Sequence, residues 1–165
     1  MSTLEKAIAI AAEAHAGATD KAGAPYILHP LRVMLKVNSP EERIVAVLHD
    51  VVEDCAAKGY TFEFIAQQGF GEQVVAGLRA VTKQADEEGK HSEPGYEEKY
   101  RRFVLRAAKD PIGREVKIAD LEDNCDLSRI ASPKENDHRR VERYTRALAW
   151  IRDAGSPDPL GPRQR

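Results

Sequence analysis

Residues 44 to 52 form an almost unbroken apolar run with a histidine and an aspartate inside it. Ile44, Val45, Val47, Leu48, Val51 and Val52 flank His49-Asp50, and Glu53-Asp54 follow directly. The β-branched content would suit a strand. The run is entered through Ser39-Pro40-Glu41-Glu42, however, and this start signal and the length favour a helix. An aspartate in such company is costly to bury without partners. The segment must therefore turn that face to water or meet partners from elsewhere in the chain. Glu53 lies four residues after His49 and Asp54 four after Asp50, so on a helix each pair shares a face.

Two other segments offer the missing partners. His29 closes the string Gly23-Ala-Pro-Tyr-Ile-Leu-His29 and precedes Pro30. Proline suits the first helical position and pushes the residue before it out of the helical region, which predicts His29 at a loop–helix junction. Asp120 follows Val116, Ile118 and Ala119, again an acid in apolar company. Two imidazoles and two carboxylates, His29, His49, Asp50 and Asp120, suit a borderline-hard divalent ion. With Glu53 and Asp54 beside them, the layout is that of metal-assisted hydrolysis. Lys117 lies one turn before Asp120 and Asn124 one turn after, so all three can share a face. Lys117 reads equally as an ordinary salt-bridge partner, and Asn124 as a surface or capping residue.

The other punctuation predicts helices throughout. Ser2-x-x-Glu5 reads as a capping box for a first helix ending near Gly17. Residues 18–25 read as a polar loop. Thr61 and Gly71 mark two further starts, and residues 84–95 read as the mobile loop of the chain. Helices follow over 96–109 and 112–130, split at Asp110-Pro111, with a last one over 133–154. This predicts an all-α bundle of about eight helices in one domain, residues 1–154, with a disordered tail over 155–165. At 165 residues the chain can bury a core of its own. Its net charge of −2 gives no basic field for DNA or RNA. The apolar run Ala7–Ala12 is too short to span a bilayer, and no signal peptide is read, so a cytoplasmic protein is expected. Cys55 and Cys125 make no disulfide framework; buried inert thiols are the default reading. Neither a phosphate-binding loop Gly-x-x-x-x-Gly-Lys-Ser/Thr nor a Gly-x-Ser-x-Gly elbow is present.

The strings PYILHP, LHDVVED and VKIADLEDN, in that order, resemble the HD superfamily of metal-dependent phosphohydrolases. More narrowly, they resemble the hydrolase domain of RelA/SpoT-type enzymes and the small alarmone hydrolases, over nearly the whole chain. The resemblance implies one Mn²⁺ per chain on His29, His49, Asp50 and Asp120. It implies that Glu53 and Asp54 activate the attacking water, and that the reaction removes a 3′-pyrophosphate from guanosine tetra- or pentaphosphate. In the resembled family a basic pair before the Gly-x-Pro-Tyr string contacts substrate. Lys21 matches its second member, but Asp20 replaces the usual arginine, which leaves adenosine analogues open. Lys21 and Asn124 are the expected substrate contacts, with Tyr100, Arg106 and Lys117 behind them; a solvated face suits Tyr100 and Arg106 as well. The length leaves no room for the synthetase domain of the long members, so hydrolysis alone is expected. A phosphatase acting on another nucleotide or on a nicotinamide dinucleotide, and a nucleotide-binding domain without catalysis, remain alternatives. A homodimer is left open.

Overall fold

The computed structural model describes residues 2–155. The expected tail therefore lies outside the described residues, apart from Gly155. The elements are α1 (Leu4–Ala14), α2 (Leu28–Lys36), α3 (Pro40–Leu48), α4 (Val51–Cys55), α5 (Phe62–Gln67), α6 (Glu72–Val81), α7 (Tyr96–Ala107), α8 (Pro111–Cys125) and α9 (Glu135–Gly155). Short 3₁₀ turns cover Ala56–Lys58 and Ala85–Glu87. There is no strand among the described residues, so the all-α expectation holds; one isolated bridge, Thr19 to Pro25, closes the loop before α2.

Several starts follow the sequence signals. Ser39 and Glu42 form a reciprocal capping box at α3. The Thr61 hydroxyl accepts from the Phe64 amide at α5, and Asp110 accepts from the Gly113 amide at 2.7 Å before Pro111 opens α8. A Cβ at Gly113 would lie 2.9 Å from both the Ala107 carbonyl oxygen and the Ala80 Cβ, so only glycine permits this close turn between α7 and α8.

Other starts differ. Thr3, not Ser2, caps α1, accepting from the Lys6 amide. Ser2 is occupied elsewhere: its hydroxyl donates to the Gln68 carbonyl and its amide to the Gly69 carbonyl, tying the N-terminus to the α5–α6 turn. α1 stops at Ala14, three residues before Gly17. α2 begins at Leu28, because the Leu28 and His29 amides already donate to Pro25 and Tyr26 carbonyls. His29 and Pro30 thus both lie in the first turn, where a missing N–H leaves no bond unmade. The single helix expected after Ser39 breaks at His49-Asp50 into α3 and the five-residue α4, so the described residues form nine helices, in keeping with the expected bundle of about eight. α8 ends at Cys125, earlier than expected.

The loop expected to be mobile is partly pinned. Gln84 and Glu87 form a capping box around the second 3₁₀ turn, and Glu87, 3% exposed, takes two bonds from Arg106, at 2.8 and 2.6 Å.

α3 packs against α1, α2, α6 and α8 at the centre of the larger core. That core runs from Ala7 and Ile10 through Val45, Leu48 and Val51 to Leu78, Val116 and Ala119. A smaller core joins α7, α8 and α9 through Tyr100, Phe103, Leu121, Leu148 and Ile151. α8 serves both. Cys55 belongs to the larger core and Cys125 packs on the smaller one; both are free thiols.

Candidate active site and metal centre

The break between α3 and α4 sets the centre of the site. His49 ends α3 with its Nδ1 2.7 Å from the Ala46 carbonyl oxygen. A carbonyl can only accept, so Nδ1 carries a proton, and with an ion bound Nε2 would present its lone pair to it. That Nε2 is buried and has no hydrogen-bond partner, yet it lies 3.0 Å from Asp50 Oδ2 and 3.6 Å from Asp120 Oδ1. His29 Nε2 meets the same acids, at 3.7 Å from Asp50 Oδ2 and 3.3 Å from Asp120 Oδ1. Ligand atoms of His29, His49 and Asp50 all lie within 4.8 Å of one another. Two imidazole lone pairs facing two carboxylates repel unless a proton or a metal cation sits between them. The donor set therefore fits a divalent ion. The same field governs the protonation of the ion-free cluster. Burial pushes the His49 pKa down, but Asp50 and Asp120 reverse this and hold it well above the usual imidazole range.

The surrounding groups fix these acids. The Tyr26 hydroxyl donates to Asp50 Oδ2 at 2.6 Å. Lys117 donates to Asp120 Oδ2 at 2.8 Å, and the Asn124 amide donates to Asp120 Oδ1 at 2.6 Å. Lys117 is 9% exposed; burial pushes its pKa down, and the Asp120 charge overcomes this and keeps it a cation. Both residues line the cleft, but both spend donors on Asp120.

Glu53 and Asp54 lie beside the cluster and differ in environment. Lys83 clamps Glu53, with Nζ at 2.6 Å from Oε1 and its backbone amide at 3.3 Å from Oε2. Asp54 is open to solvent at the cleft wall, yet the enclosing walls and then the charges of Asp50 and Glu53 push its pKa up to about 6.

The cleft encloses about 440 Å³. From the metal cluster it runs to the loop carrying Lys21 and to Arg140, Arg143 and Tyr144 of α9. The Asp20 carboxylate turns inward, accepting from the Ala22 and Ala24 amides at 2.9 and 3.0 Å, so it orders the loop that presents Lys21. Tyr100 lines the cleft with its hydroxyl buried and unpartnered, stacked on Tyr96 at 5.9 Å between ring centroids. Arg106 does not line the cleft. Besides Glu87 it binds the carbonyls of Arg79, Ala80 and Thr82, satisfying the C-terminal end of α6.

The structure thus brings His29, His49, Asp50, Asp120, Glu53, Asp54, Lys21, Asn124, Lys117 and Tyr100 around one cleft and leaves Arg106 outside it. Sequence reasoning missed Tyr26, Lys83, Arg140, Arg143 and Asp123. Tyr26 and Asp123 lie inside strings already singled out, but nothing in their spacing tells an inward polar tip from a solvated one.

A helical metal cluster of this kind defines a class. The HD domain family profile matches residues 7–149, and the chain belongs to that family. It is 36% identical over 125 residues to a guanosine-3′,5′-bis(diphosphate) 3′-pyrophosphohydrolase of Aquifex aeolicus, covering 73% of this chain and 17% of that protein. It is 29% identical over 147 residues to the bifunctional (p)ppGpp synthase/hydrolase SpoT of Escherichia coli, covering 86% of this chain and 20% of the relative. A GTP pyrophosphokinase of Streptomyces coelicolor is 31% identical over 143 residues, which cover 84% of this chain and 16% of that protein. The chain therefore spans at most a fifth of the length of these curated relatives.

Proposed function

We propose that the cleft is the active site of a metal-dependent phosphohydrolase that removes the 3′-pyrophosphate from a purine nucleotide such as guanosine 3′,5′-bis(diphosphate), with Mn²⁺ as the working ion. The observation that carries this reading is that His29, His49, Asp50 and Asp120 converge at one end of a cleft whose far wall is basic. Burial pushes the Lys21 pKa down and Arg140 adds to the effect, with Asp137 compensating in part. Such a field calls for a polyanion. A nucleotide carrying diphosphates at both ends would place one at the metal cluster and the other against Lys21, Arg140 and Arg143. Tyr144 offers an aromatic face on the same wall. The relative from Aquifex aeolicus is named for removal of this same 3′ group, which supports the reading.

His29, His49, Asp50 and Asp120 would hold the ion, which when bound polarises the phosphoryl group and acidifies a bound water. The chain's own residues do the rest. Asp54, exposed on the cleft beside these residues and free of the Lys83 clamp, would take the water's proton, and Glu53, held by Lys83, would orient the water. The water oxygen attacks the phosphorus on the ribose 3′ oxygen while its proton passes to Asp54. The P–O3′ bond breaks, the proton held by Asp54 passes to the ribose 3′ oxygen through water, and pyrophosphate leaves. Lys117 and Asn124 keep Asp120 in place, and Lys21 holds substrate. Free thiols at Cys55 and Cys125, and the lack of any described helix long and apolar enough to cross a membrane, are consistent with work in the cytoplasm.

The test is a product assay with purified protein, Mn²⁺ or EDTA, and 3′-diphosphorylated guanosine and adenosine. Pyrophosphate should appear from at least one of them with Mn²⁺ and from neither with EDTA. Inorganic phosphate released from other nucleotides, with the 3′-diphosphorylated purines untouched, refutes the reading in favour of a general phosphatase.

A further inference from the structure

One helix grips both nitrogens of the His29 ring. Asp120 Oδ1 faces Nε2 at 3.3 Å, and Asp123, three residues on along α8, faces Nδ1 through Oδ2 at 2.7 Å. Asp123 is 2% exposed, and two arginines give it four further hydrogen bonds. Arg32 donates Nε to Oδ1 at 2.9 Å and a terminal nitrogen to Oδ2 at 3.1 Å. Arg129 donates to Oδ2 at 3.1 Å and to the Asp123 carbonyl at 2.8 Å. Arg32 lies one turn after His29 on α2, so a single face of α2 presents both donors to Asp123. Two guanidinium groups on one buried carboxylate offset the cost of burying its charge and keep it an acceptor.

We infer that Asp123, held by Arg32 and Arg129, is a positioning residue for the metal centre: it accepts a hydrogen bond from His29 Nδ1–H and so fixes the tautomer whose Nε2 lone pair faces Asp50 and Asp120. A histidine ligand whose second nitrogen donates to a carboxylate is both oriented and made more basic. The inference rests on the metal reading of the cleft. The competing role is a purely structural tie between α8 and α2, which predicts lost stability without lost metal affinity.

The experiment titrates Mn²⁺ calorimetrically into metal-free wild type, Asp123→Ala and Asp123→Asn, each checked for fold and Tm. Loss of such an outer partner typically weakens metal affinity roughly 10- to 100-fold, the effect expected for Asp123→Ala; Asp123→Asn should lose less, since its amide oxygen can still accept. Proton–nitrogen NMR of the Mg²⁺-loaded proteins supplies a readout of position. The His29 Nδ1 proton should be resolved in wild type and lost in Asp123→Ala. A Kd within about threefold of wild type in Asp123→Ala, whatever its Tm, overturns the inference. If that variant does not fold, the same threshold applied to Asp123→Leu, similar in size and without an acceptor, decides. Wild type that binds no Mn²⁺ sinks the metal reading itself, a result distinct from wild type and variants binding alike.

Discussion

Asp54 should stabilise the protein when its charge is removed. Its carboxyl is pushed from 3.8 up to about 6 by its surroundings. A folded pKa above the unfolded one means that folding disfavours the ionised acid. The cost is full above about pH 6, shrinks as pH falls, and is gone below the unfolded value. Two units correspond to about 3 kcal/mol at most. Asp54 is open to water, so screening reduces this, and about 1 kcal/mol is the working figure. Asp54→Asn in EDTA at pH 7.5 should therefore be about 1 kcal/mol more stable than wild type in urea, or roughly 2–4 °C higher in Tm for a domain of this size. The gap should close at pH 4. The metal-loaded variant should at the same time lose turnover by roughly 10²- to 10⁴-fold, as expected of a missing general base. A metal-free variant no more stable than wild type at pH 7.5, or a gap that persists at pH 4, would refute the argument that the cleft walls and the Asp50 charge strain this acid.

Other outcomes follow from the same geometry. His49→Ala and Asp120→Ala should each abolish stoichiometric Mn²⁺ binding by elemental analysis; full occupancy in both would remove them from the ligand set. Glu53→Gln should keep Mn²⁺ and the fold, because Glu53 pairs with Lys83 and not with the ligand atoms, while steady-state assays show turnover reduced by roughly a hundredfold or more. Arg106→Ala should cost about 3 kcal/mol in urea denaturation, since Glu87 is left buried without its partner and the end of α6 loses its donors. Activity per folded molecule should hold, and a selective loss of kcat would return Arg106 to the site. In Glu87 burial raises the pKa, but Arg106 and the Gln84 amide outweigh it and hold the carboxyl below 4.5. Its contribution is present above the unfolded value and lost as pH falls through the folded one. The wild-type margin over Arg106→Ala should therefore narrow in acid, as a pH series of urea melts would show.

The legible parts of the chain were those decided within a few residues. The Ser39–Glu42 box, Thr61, Gly71 and Asp110-Pro111 mark starts because a cap and its amides are near neighbours in sequence. The convergence of His29, His49, Asp50 and Asp120 was legible for another reason: acids and histidines inside apolar helices need each other, and three separate segments carried them. Ser2 misled because its partner, the Gln68 carbonyl, is far along the chain. Arg106 misled because a basic residue on an amphipathic helix looks the same whether it meets a ligand or a buried glutamate. The break at His49-Asp50 left no trace, since no proline or glycine marks it; Asp50 adopts φ −93° and ψ −8°, and the turn is held by tertiary partners such as Tyr26.

The two cores that share α8 divide the labour of the cleft unevenly. His29, His49 and Asp50 stand on helices rooted in the larger core, whereas Arg140, Arg143 and Tyr144 stand on α9, whose apolar face belongs to the smaller one. Cooperative units with fewer buried apolar contacts open at lower free energy. Amides of α9 should accordingly exchange with solvent ahead of those of α3. On the proposed reading, the half of the cleft that would hold the ion is then the slow half, and the half that would grasp the far end of a nucleotide is the one free to breathe. Sequence drift in α9 can retune what is held there while the ion's cradle stays untouched.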